Sequence, residues 1–470
     1  MRIDLRPLFH PKAIAIIGAS SDKAKFSTLV VAVLEMLGYK GDVYLVNPNT
    51  QAIPGKKVYA TVLDLPYPVD LAVIFVPSRF VISAIEDCAA KGVKTAIIHG
   101  AGFAELGDEG RVQQDAISRV AQSSGMRIVG PNCMGVTSPS SGINMITAHS
   151  PKVYEGEVAF AGQSGWATEY ILAMGTERGL GFSTVASVGN QADLSISDYL
   201  DYFGFDPKTR VIGAYVEGFK DGRRFIATAK EVARRKPVVI WKAGLMASGA
   251  RFTESHTGSL AGNGIIGRAV LNQVGVTATI DIEDTMDAMV AFNSRYLPHG
   301  KRVGIIVSTG GIGVAACDAC ESAGLEIPRL PDNVHEKLID FLKQYLPPFA
   351  GSSNPIDLVW APASKKQEII GRCLELMAPW VDAIICAIYP NNDDHADEFA
   401  SFFGKMTHQI KKPILTVPPY GYAMQNFLQL STKYGAPSFT SIERAVRALT
   451  HLIRRAEWLK GNKGPVRDTL

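Results

Sequence analysis

One histidine stands in a stretch made of residues too small and polar to form a core. Residues 251–262 read RFTESHTGSLAG, which sets His256 among serine, threonine, glycine and alanine. A neutral imidazole is a nucleophile, and small hydroxyl residues suit a flexible loop that solvates a phosphate. The composition of this loop suits transfer of a phosphoryl group to His256, but the residues alone do not favour it over a surface loop with an incidental histidine, and both alternatives stay open.

A carboxylate that can assist this histidine follows a predicted strand. Glu217 stands in AYVEGFKDGRRF, just past an apolar run, and should lie on the same rim of a sheet as the loop of His256. A carboxylate that accepts the proton of the second imidazole nitrogen fixes the tautomer and stabilises the positive charge of the attacking ring. We therefore pair Glu217 with His256.

Two glycine-rich turns predict helix starts that bind anions. The strand EVAFA leads to Gly162, Gln163, Ser164 and Gly165, and a later strand leads to STGGIG at 308–313. The first backbone amides of a helix have no intrahelical partner and point, with the positive end of the helix dipole, at an anion. Two such starts aimed at one point would hold a phosphate and provide the charge stabilisation that phosphoryl transfer needs.

The first strand ends in a turn typical of nucleotide binding, although not of NAD binding. The run AIAII at 13–17 leads into GASSDKAKFS, where Gly18 allows a tight turn but the pattern GxGxxG is absent. The acidic residue that would bind a ribose is also absent from YLVNPNT, at the end of the second strand. Another adenine nucleotide and a set of merely tight connections remain as the two alternatives.

The composition is typical of a well-packed soluble protein. The chain has 470 residues, 47% of them hydrophobic and 20% charged, and its net charge of +3 has no long block of one sign, so we expect neither nucleic-acid nor membrane binding. It has no apolar run of about eighteen residues and no signal-peptide pattern, which predicts a cytoplasmic protein. The six cysteines lack zinc-site spacing, so we expect buried free thiols and no metal site.

The alternation of short β-branched runs with amphipathic segments of helix length predicts an α/β protein with parallel sheets. Three similar strand, turn and helix starts, at 13–22, 157–174 and 302–320, predict three doubly wound domains. The residues at 136–152, rich in serine, proline and glycine, and the stretch RYLPHGK at 295–301 are interpreted as separators. The predicted domains are residues 1–135, 150–295 and 301–460.

The string SHTGSLAG at 255–262, with GAR at 249–251 before it, resembles the active-site loop of the ADP-forming acyl-CoA synthetases, relatives of succinyl-CoA synthetase. The resemblance covers nearly the whole chain and implies a Rossmann-like CoA-binding domain, a flavodoxin-like phosphohistidine domain and a flavodoxin-like ligase domain. The other similar segments are IGAS (17–20), VNP (46–48), VDLAVIFVP (69–77), AGF (101–103), GPNCMG (130–135), QSG (163–165), VGNQAD (188–193), VEGFKDGRRF (216–225) and NPID (354–357).

The resemblance also implies roles for single residues. His256 would carry the phosphoryl group, Glu217 would orient and stabilise it, and Ser164 with Gly165 would form an anion-binding helix start. ATP would phosphorylate the histidine, a carboxylate would take the phosphoryl group as an acyl phosphate, and the CoA thiol would attack that intermediate, each step being reversible. The remaining residues implied are Gly310, Gly311 and Gly313 at a second helix start, and Gly18, Ala19, Ser20, Val76, Pro77, Ser78 and Asn132 along coenzyme A.

The resemblance implies a partner as well. Enzymes of this family need an ATP-grasp domain, and three α/β domains leave no segment for one. The chain is similar to the α subunit of those members that keep the ATP-grasp domain on a separate β subunit. ATP or ADP, together with Mg²⁺, would enter through that β subunit in an αβ-based hetero-oligomer.

Several residues depart from the pattern of the family. His99 and Gly100 replace an apolar residue and a serine beside the expected thioester site, TGGIG replaces AGGPG or AGGFG, and Asn49 and Glu254 also differ. A carboxylic acid with an extra polar or anionic group is one interpretation, and neutral drift is the other. The rival functions are a noncatalytic CoA-binding or acyl-CoA-binding regulator, which would be expected to have lost the histidine, and a CoA transferase, which would not need it.

Overall fold

The chain folds into two compact units. Residues 1–173 with 181–280 form the first unit, and residues 174–180 with 281–470 form the second. The computed structural model describes residues 2–48, 53, 55–147, 149, 152–246, 248, 249, 251, 264–347, 351–388, 395–418 and 424–462.

The first unit contains two sheets, and the first of them has six parallel strands in the order β3-β2-β1-β4-β5-β6. This is the order of a Rossmann fold. Strands β1, β4 and β5 are buried along their whole length, because helices cover both faces of a parallel sheet. The elements are α1 Arg6–Phe9, β1 Ala13–Ile17, α2 Phe26–Met36, β2 Asp42–Val46, β3 Val58–Tyr59, β4 Leu71–Ile74, α3 Val81–Lys91, β5 Thr95–Ile98, α4 Asp108–Ser124 and β6 Arg127–Val129.

The second sheet has seven strands in the order β13-β12-β11-β9-β10-β7-β8. Its five parallel strands, β9 to β13, have the flavodoxin order, in which the first strand lies between the second and the third. The elements are β7 Gly135–Ser138, β8 Ile143–Asn144, β9 Glu155–Gly162, α5 Gly165–Glu177, β10 Phe182–Ser187, α6 Ile196–Phe205, β11 Val211–Val216, α7 Gly222–Ala233, β12 Val238–Lys242, α8 Gly264–Gln273 and β13 Thr277–Thr279.

The segment interpreted as a loose separator at 136–152 is in part a β-hairpin. Strand β7 pairs antiparallel with β10, and β8 pairs antiparallel with β7. The polar side chains that suggested a linker bond to each other inside the hairpin: Thr137 donates to Asn144 at 2.8 Å, and Asn144 donates to Thr147 at 2.6 Å. The interpretation was wrong for this part because buried polar residues that satisfy one another are compatible with a sheet edge.

The second unit has a parallel sheet of four strands in the order β15-β14-β16-β17. Strand β14 is buried throughout, and a single parallel bridge between Thr416 and Ser438 extends the sheet past β17. The elements are α9 Ile282–Phe292, β14 Val303–Val307, α10 Gly310–Ser322, α11 Asp332–Leu342, β15 Ile356–Asp357, α12 Lys366–Met377, β16 Ala383–Ala387, α13 Ala396–Ile410, β17 Ile414–Thr416, α14 Met424–Lys433 and α15 Ile442–Gly461. Three largely parallel sheets confirm the predicted fold class.

All six cysteines are free; five are buried, as predicted, and Cys317 is half-buried. Across the part of the chain that the structure describes, no helix has both the length and the apolar content needed to cross a membrane.

An ion pair joins the two sheets of the first unit. Arg127, at the start of β6, donates from Nε and Nη2 to the carboxylate of Asp193 at 2.8 and 2.9 Å. The same carboxylate accepts the backbone N–H of Ile128 at 2.8 Å. The side chains of Arg127 and Asp193 are largely buried, with 24% and 14% of their surface exposed. The loop after β10 is therefore held against the first residues of β6, the edge strand of the first sheet.

Replacement of Asp193 by alanine should destabilise the first unit. Asp193→Ala leaves the guanidinium of Arg127 and one buried N–H without their partner, and should lower the free energy of unfolding by about 2–3 kcal/mol. Glu231→Ala is the control, because Glu231 pairs with Arg2 and Arg235 while 51% exposed; the control should cost about 0.5 kcal/mol. Urea denaturation followed by fluorescence measures both, and equal losses would contradict the role given to Asp193.

Candidate active site

The side chain of Gln163 joins the carboxyl ends of β9 and β11. Its Oε1 accepts the backbone N–H of Glu217 and, at 3.0 Å, that of Gly218, and its Nε2 donates to the carbonyl of Gly218 at 2.7 Å. Its own backbone N–H continues the sheet by donating to Tyr215 at 3.1 Å. One glutamine therefore fixes the path of the chain as it leaves β11.

Glu217, which was predicted on this rim from the sequence, is held by that glutamine and is buried, with 6% of its surface exposed. Its Oε1 accepts the hydroxyl of Tyr215 at 3.2 Å. Its Oε2 is buried and has no hydrogen-bond partner among the described residues. A buried carboxylate oxygen without a partner is unfavourable, so this atom marks a place where a further donor fits.

The hydroxyl of Tyr215 is kept protonated beside Glu217. Burial, and then the negative charge of Glu217, raise the pKa of Tyr215 above its ordinary value. The tyrosine therefore acts as a hydrogen-bond donor to the carboxylate. Its ring also packs edge-on against Trp241 of the neighbouring β12, with 4.8 Å between the ring centroids.

Ser164 and Gly165 form the start of α5, next to Gln163. The hydroxyl of Ser164 accepts the backbone N–H of Ala167 at 3.3 Å, so this serine caps the helix. The N–H groups of Gly165 and Trp166 belong to the first turn, where the helix itself offers no acceptor. A Cβ atom on Gly165 would lie 2.9 Å from Sδ of Met134. A larger residue at this position would therefore have to displace the side chain of Met134, in the loop that follows β6.

His256 and Glu254 lie outside the described residues. The segment that leads to them leaves the sheet at the end of β12, which is paired in parallel with β11. The backbone N–H of Ala243, the first residue after β12, donates to Val216 at 2.9 Å, one residue before Glu217. The start of this segment and Glu217 are thus neighbours at the same edge of the sheet.

A cavity of about 550 Å³ opens at the carboxyl ends of β1, β2 and β4. Gly18, Val76 and Pro77, three of the predicted CoA-binding residues, are among the residues that line it. Gly18 has φ +86°, and a Cβ atom there would lie 3.1 Å from the carbonyl carbon of Phe75. Sequence reasoning missed Lys25 and Asn47, which also line the cavity; Asn47 donates to the carbonyl of Ala19 at 2.8 Å and so holds the turn.

The other predicted CoA-binding residues do not line this cavity. Ala19 is buried in the turn, and the hydroxyl of Ser20 accepts the N–H of Asp22 at 3.1 Å. Ser78 begins the short helical turn before α3 and lies against Gly102. Asn132, with φ +59°, lies after β6, where its N–H donates to Gly100 at 2.9 Å.

His99 belongs to an aromatic cluster at the same edge of the first sheet. Its ring lies 4.7 Å from that of Phe26 and 5.2 Å from that of Phe75, centroid to centroid. Burial lowers the pKa of His99, so the ring is neutral near pH 7. Gly100, the other candidate for substrate selection, is half-buried, and a Cβ atom there would be 3.5 Å from the carbonyl oxygen of Val76.

In the second unit, the predicted helix start lies at the beginning of α10. Gly310 and Gly311 are exposed, Gly313 is buried, and Thr309 makes no side-chain capping bond. A carboxylate lies beside this start: a Cβ atom on Gly310 would be 3.3 Å from Oδ2 of Asp357. Burial raises the pKa of Asp357, which favours its neutral form, although the N–H of Val359 partly offsets that effect. The sequence NPID, which contains Asp357, did not predict that this carboxylate lies beside the start of α10.

Replacement of Gly18 by alanine should distort the turn at the cavity. Gly18→Ala combines a left-handed backbone with a contact to Phe75 and should cost about 2 kcal/mol of stability or more, whereas Gly92→Ala, the control, should cost about 1 kcal/mol. Gly92 has φ +79° with nothing within 4 Å of the added Cβ atom. Urea denaturation compares the two, and a smaller loss for Gly18→Ala would contradict this account of the turn.

Three family models match the chain in sequence. A CoA binding domain matches residues 12–139, a succinyl-CoA ligase like flavodoxin domain matches residues 155–292, and a ligase-CoA domain matches residues 303–412. The first two matches coincide with the Rossmann-ordered sheet and with the parallel strands of the flavodoxin-ordered sheet.

Proteins of known name are similar over nearly the whole chain. The α subunit of the ADP-forming acetate–CoA ligase II of Pyrococcus furiosus is 36% identical, over 96% of this chain and 98% of that protein. The ADP-forming acetate–CoA ligase I of Archaeoglobus fulgidus is 35% identical, over 95% of this chain but 63% of that protein. The dinucleotide forming acetyl-coenzyme A synthetase 1 of Ca. Korarchaeum cryptofilum, solved with phosphate and ADP, superposes with a TM-score of 0.87 at 33% identity, over 99% of this chain and all of that one. The chain therefore belongs to the family of ADP-forming acyl-CoA ligases.

Proposed function

We propose that the chain is the α subunit of an acid–CoA ligase that interconverts acyl-CoA, ADP and phosphate with a carboxylic acid, CoA and ATP. Phosphate attacks the thioester carbonyl, the C–S bond breaks, and CoA leaves as the thiol after taking up a proton. A ring nitrogen of His256 then attacks phosphorus of the acyl phosphate, and the carboxylate leaves. Finally a phosphate oxygen of ADP attacks phosphorus, the P–N bond breaks, and ATP is formed.

The carboxylate oxygen Oε2 of Glu217, which no described residue contacts by a hydrogen bond, is the observation that carries this proposal. Oε2 is a buried acceptor that has no partner among the described residues; it lies at the end of β11, beside the start of the segment that leads to His256, and fits an imidazole N–H. When the ring attacks phosphorus it becomes positively charged, and a fixed carboxylate stabilises that charge. The N–H groups at the start of α5, adjacent to Gln163, suit the phosphate oxygens.

Coenzyme A would bind at the carboxyl edge of the first sheet. Among the described residues, the wall of the cavity at Gly18, Val76 and Pro77 includes the basic side chain of Lys25, which suits a phosphate group of the cosubstrate, and the acidic side chain of Asp87. Ala19, Ser20, Ser78 and Asn132 shape or flank the turns on this edge and remain proposed CoA-binding residues. His99 and Gly100 are the proposed determinants of acid selection, and a neutral ring at position 99 suits an uncharged acyl group better than an anionic one.

The partner we propose is an ATP-grasp β subunit that binds ATP or ADP with Mg²⁺ in an αβ-based hetero-oligomer. The name of the Pyrococcus relative, an α subunit, supports a separate partner, and so does the longer Archaeoglobus protein, which extends beyond the matched region. We assign residues 1–135 to the CoA-binding domain, residues 150–295 to the phosphohistidine domain and residues 301–460 to the ligase domain.

The cytoplasm is the compartment we propose for this protein. Its six free cysteines suit a reducing compartment.

The role of Glu217 can be tested through the phosphohistidine itself. The protein, with its ATP-grasp partner, is given acetyl-CoA and phosphate, and acid-labile, base-stable phosphate is mapped by mass spectrometry. We expect the label on His256, none in His256→Ala, and labelling about 100-fold slower in Glu217→Gln, because the ring loses its charge-stabilising partner.

Glu231→Gln serves as the control for this substitution, since Glu231 lies on the exposed surface of α7. It should label at the rate of the unaltered protein. If no thioester or nucleotide labels the chain while CoA still binds, the noncatalytic regulator becomes the better assignment. A stable glutamyl thioester in place of the phosphohistidine would instead support the CoA transferase.

Lys25 should contribute to the binding of coenzyme A. Lys25→Ala removes the cation from the cavity wall and should weaken CoA binding about fivefold at low ionic strength, with a smaller effect in high salt. Lys23→Ala is the matched control, because Lys23 is an exposed residue of the same turn that does not line the cavity. Isothermal titration calorimetry measures both, and equal effects of the two substitutions would remove Lys25 from the site.

A further inference from the structure

Lys242, the last residue of β12, is bound to the backbone of Glu217. Its Nζ donates to the carbonyl oxygen of Glu217 at 2.7 Å and to that of Ala243 at 2.6 Å. The side chain is half-buried, and Lys242 pairs in register with Val216, the residue before Glu217. A charged ammonium group therefore lies between the end of β11 and the first residue after β12.

This arrangement holds Glu217 without using its carboxylate. Among the described residues the carboxylate has one partner, the hydroxyl of Tyr215, and its Oε2 stays open. A direct ion pair would occupy an oxygen that the proposed imidazole needs, whereas an ammonium on the backbone carbonyl makes no bond to that oxygen. The negative charge of Glu217 in turn acts on the ammonium: it raises the pKa of Lys242, against the larger lowering by burial.

The same ammonium fixes the start of the segment that leads to His256. Two hydrogen bonds hold Ala243. Its N–H donates to the carbonyl of Val216 at 2.9 Å, and its carbonyl accepts a hydrogen bond from Nζ of Lys242. One side chain thus connects the backbone of Glu217 to the first residue of that segment. A change at Lys242 would alter the position of both groups relative to each other.

We infer that Lys242 is a positioning residue for phosphoryl transfer. Through the backbone carbonyls of Glu217 and Ala243, it fixes the position of Glu217 relative to the start of the segment that leads to His256. This inference rests on the proposed function. It assigns to Lys242 no contact with the substrate. Its effect should appear in the rate of phosphorylation of His256 and not in the binding of CoA.

The chain contains a matched control in Lys236, at the other end of the same strand. Nζ of Lys236 also donates to two backbone carbonyls, of Phe203 at 2.7 Å and of Asp206 at 2.6 Å. It is also half-buried, and burial lowers its pKa to about 8. The two lysines make the same kind of contact, but Lys236 lies before β12 and Lys242 ends it, beside Glu217.

The experiment compares Lys242→Met with Lys236→Met. Each variant, with the ATP-grasp partner, is given acetyl-CoA and phosphate, and the initial rate of His256 phosphorylation is measured beside the unfolding temperature and CoA affinity. We expect Lys242→Met to label at least about tenfold more slowly with CoA affinity unchanged, and Lys236→Met to label within about twofold of the unaltered protein. Similar losses of stability and of rate in the two variants would show a structural role and overturn the inference.

The rate of His256 labelling, measured against pH in Lys242→Arg, tests the role of the ammonium charge. A purely structural role of Lys242 would leave this pH dependence unchanged. Burial lowers the pKa of Lys242, and the charge of Glu217 only partly offsets this, so the ammonium loses its proton at a lower pH than an ordinary lysine. On the β11 side, the charge of Glu217 acts on Lys242, and Glu217 accepts the hydroxyl of Tyr215; on the other side, β13 pairs with β12 through residues without charge. The alkaline loss of labelling should therefore move to higher pH in Lys242→Arg, because a guanidinium stays protonated.

The outcomes separate the inference from the proposed function. Absence of label in the unaltered protein, with and without Mg²⁺ and ATP, would remove the proposed function and the inference with it. A labelled His256 together with an unchanged rate in Lys242→Met would overturn the inference alone. An alkaline limit that is identical in Lys242→Arg and in the unaltered protein would also overturn it.

Discussion

The amide of Gln163 satisfies three backbone groups where β11 ends, and the geometry of the site depends on this. The N–H groups of Glu217 and Gly218 and the carbonyl of Gly218 leave the sheet at a buried place, where unpaired groups would be costly. Because Gln163 belongs to the turn between β9 and α5, the same residue sets the start of that helix and the direction of Glu217. The anion-binding amides and the carboxylate therefore have one common support.

A buried carboxylate in such a place needs compensation, and the structure provides it indirectly. Tyr215 donates one hydrogen bond to Glu217, and the ammonium of Lys242 binds the carbonyl of the same residue. Neither contact occupies Oε2. An ion pair would have stabilised the charge more strongly, but it would also have left the carboxylate a poorer acceptor for an imidazole N–H. The arrangement suits a residue that must receive a proton donor during a reaction.

Local patterns predicted the parallel sheets and the rim on which Glu217 lies, because buried strands and glycine turns leave a strong signal in sequence. The strand orders come from pairings between distant segments, which no local pattern carries. The hairpin at β7 and β8 was missed because its polar residues bond to each other, as Thr137 and Asn144 do. Lys242 and Asp357 were missed for a related reason: Glu217, which Lys242 contacts, and the start of α10, beside which Asp357 lies, are distant in the chain. The place of His256 remains a prediction.

The loop after β6 connects the two halves of the first unit at the start of α5. Met134 of this loop donates its N–H to the hydroxyl of Ser187 at 3.1 Å, and its side chain lies where a side chain on residue 165 would have to be. The same loop contains Asn132, whose N–H binds Gly100 at the edge of the first sheet. One short segment thus contacts both the helix start proposed for phosphate and the edge proposed for CoA. The ion pair of Arg127 and Asp193 adds a second connection between the same two sheets, so the helix start and the edge of the first sheet are held by two separate sets of contacts.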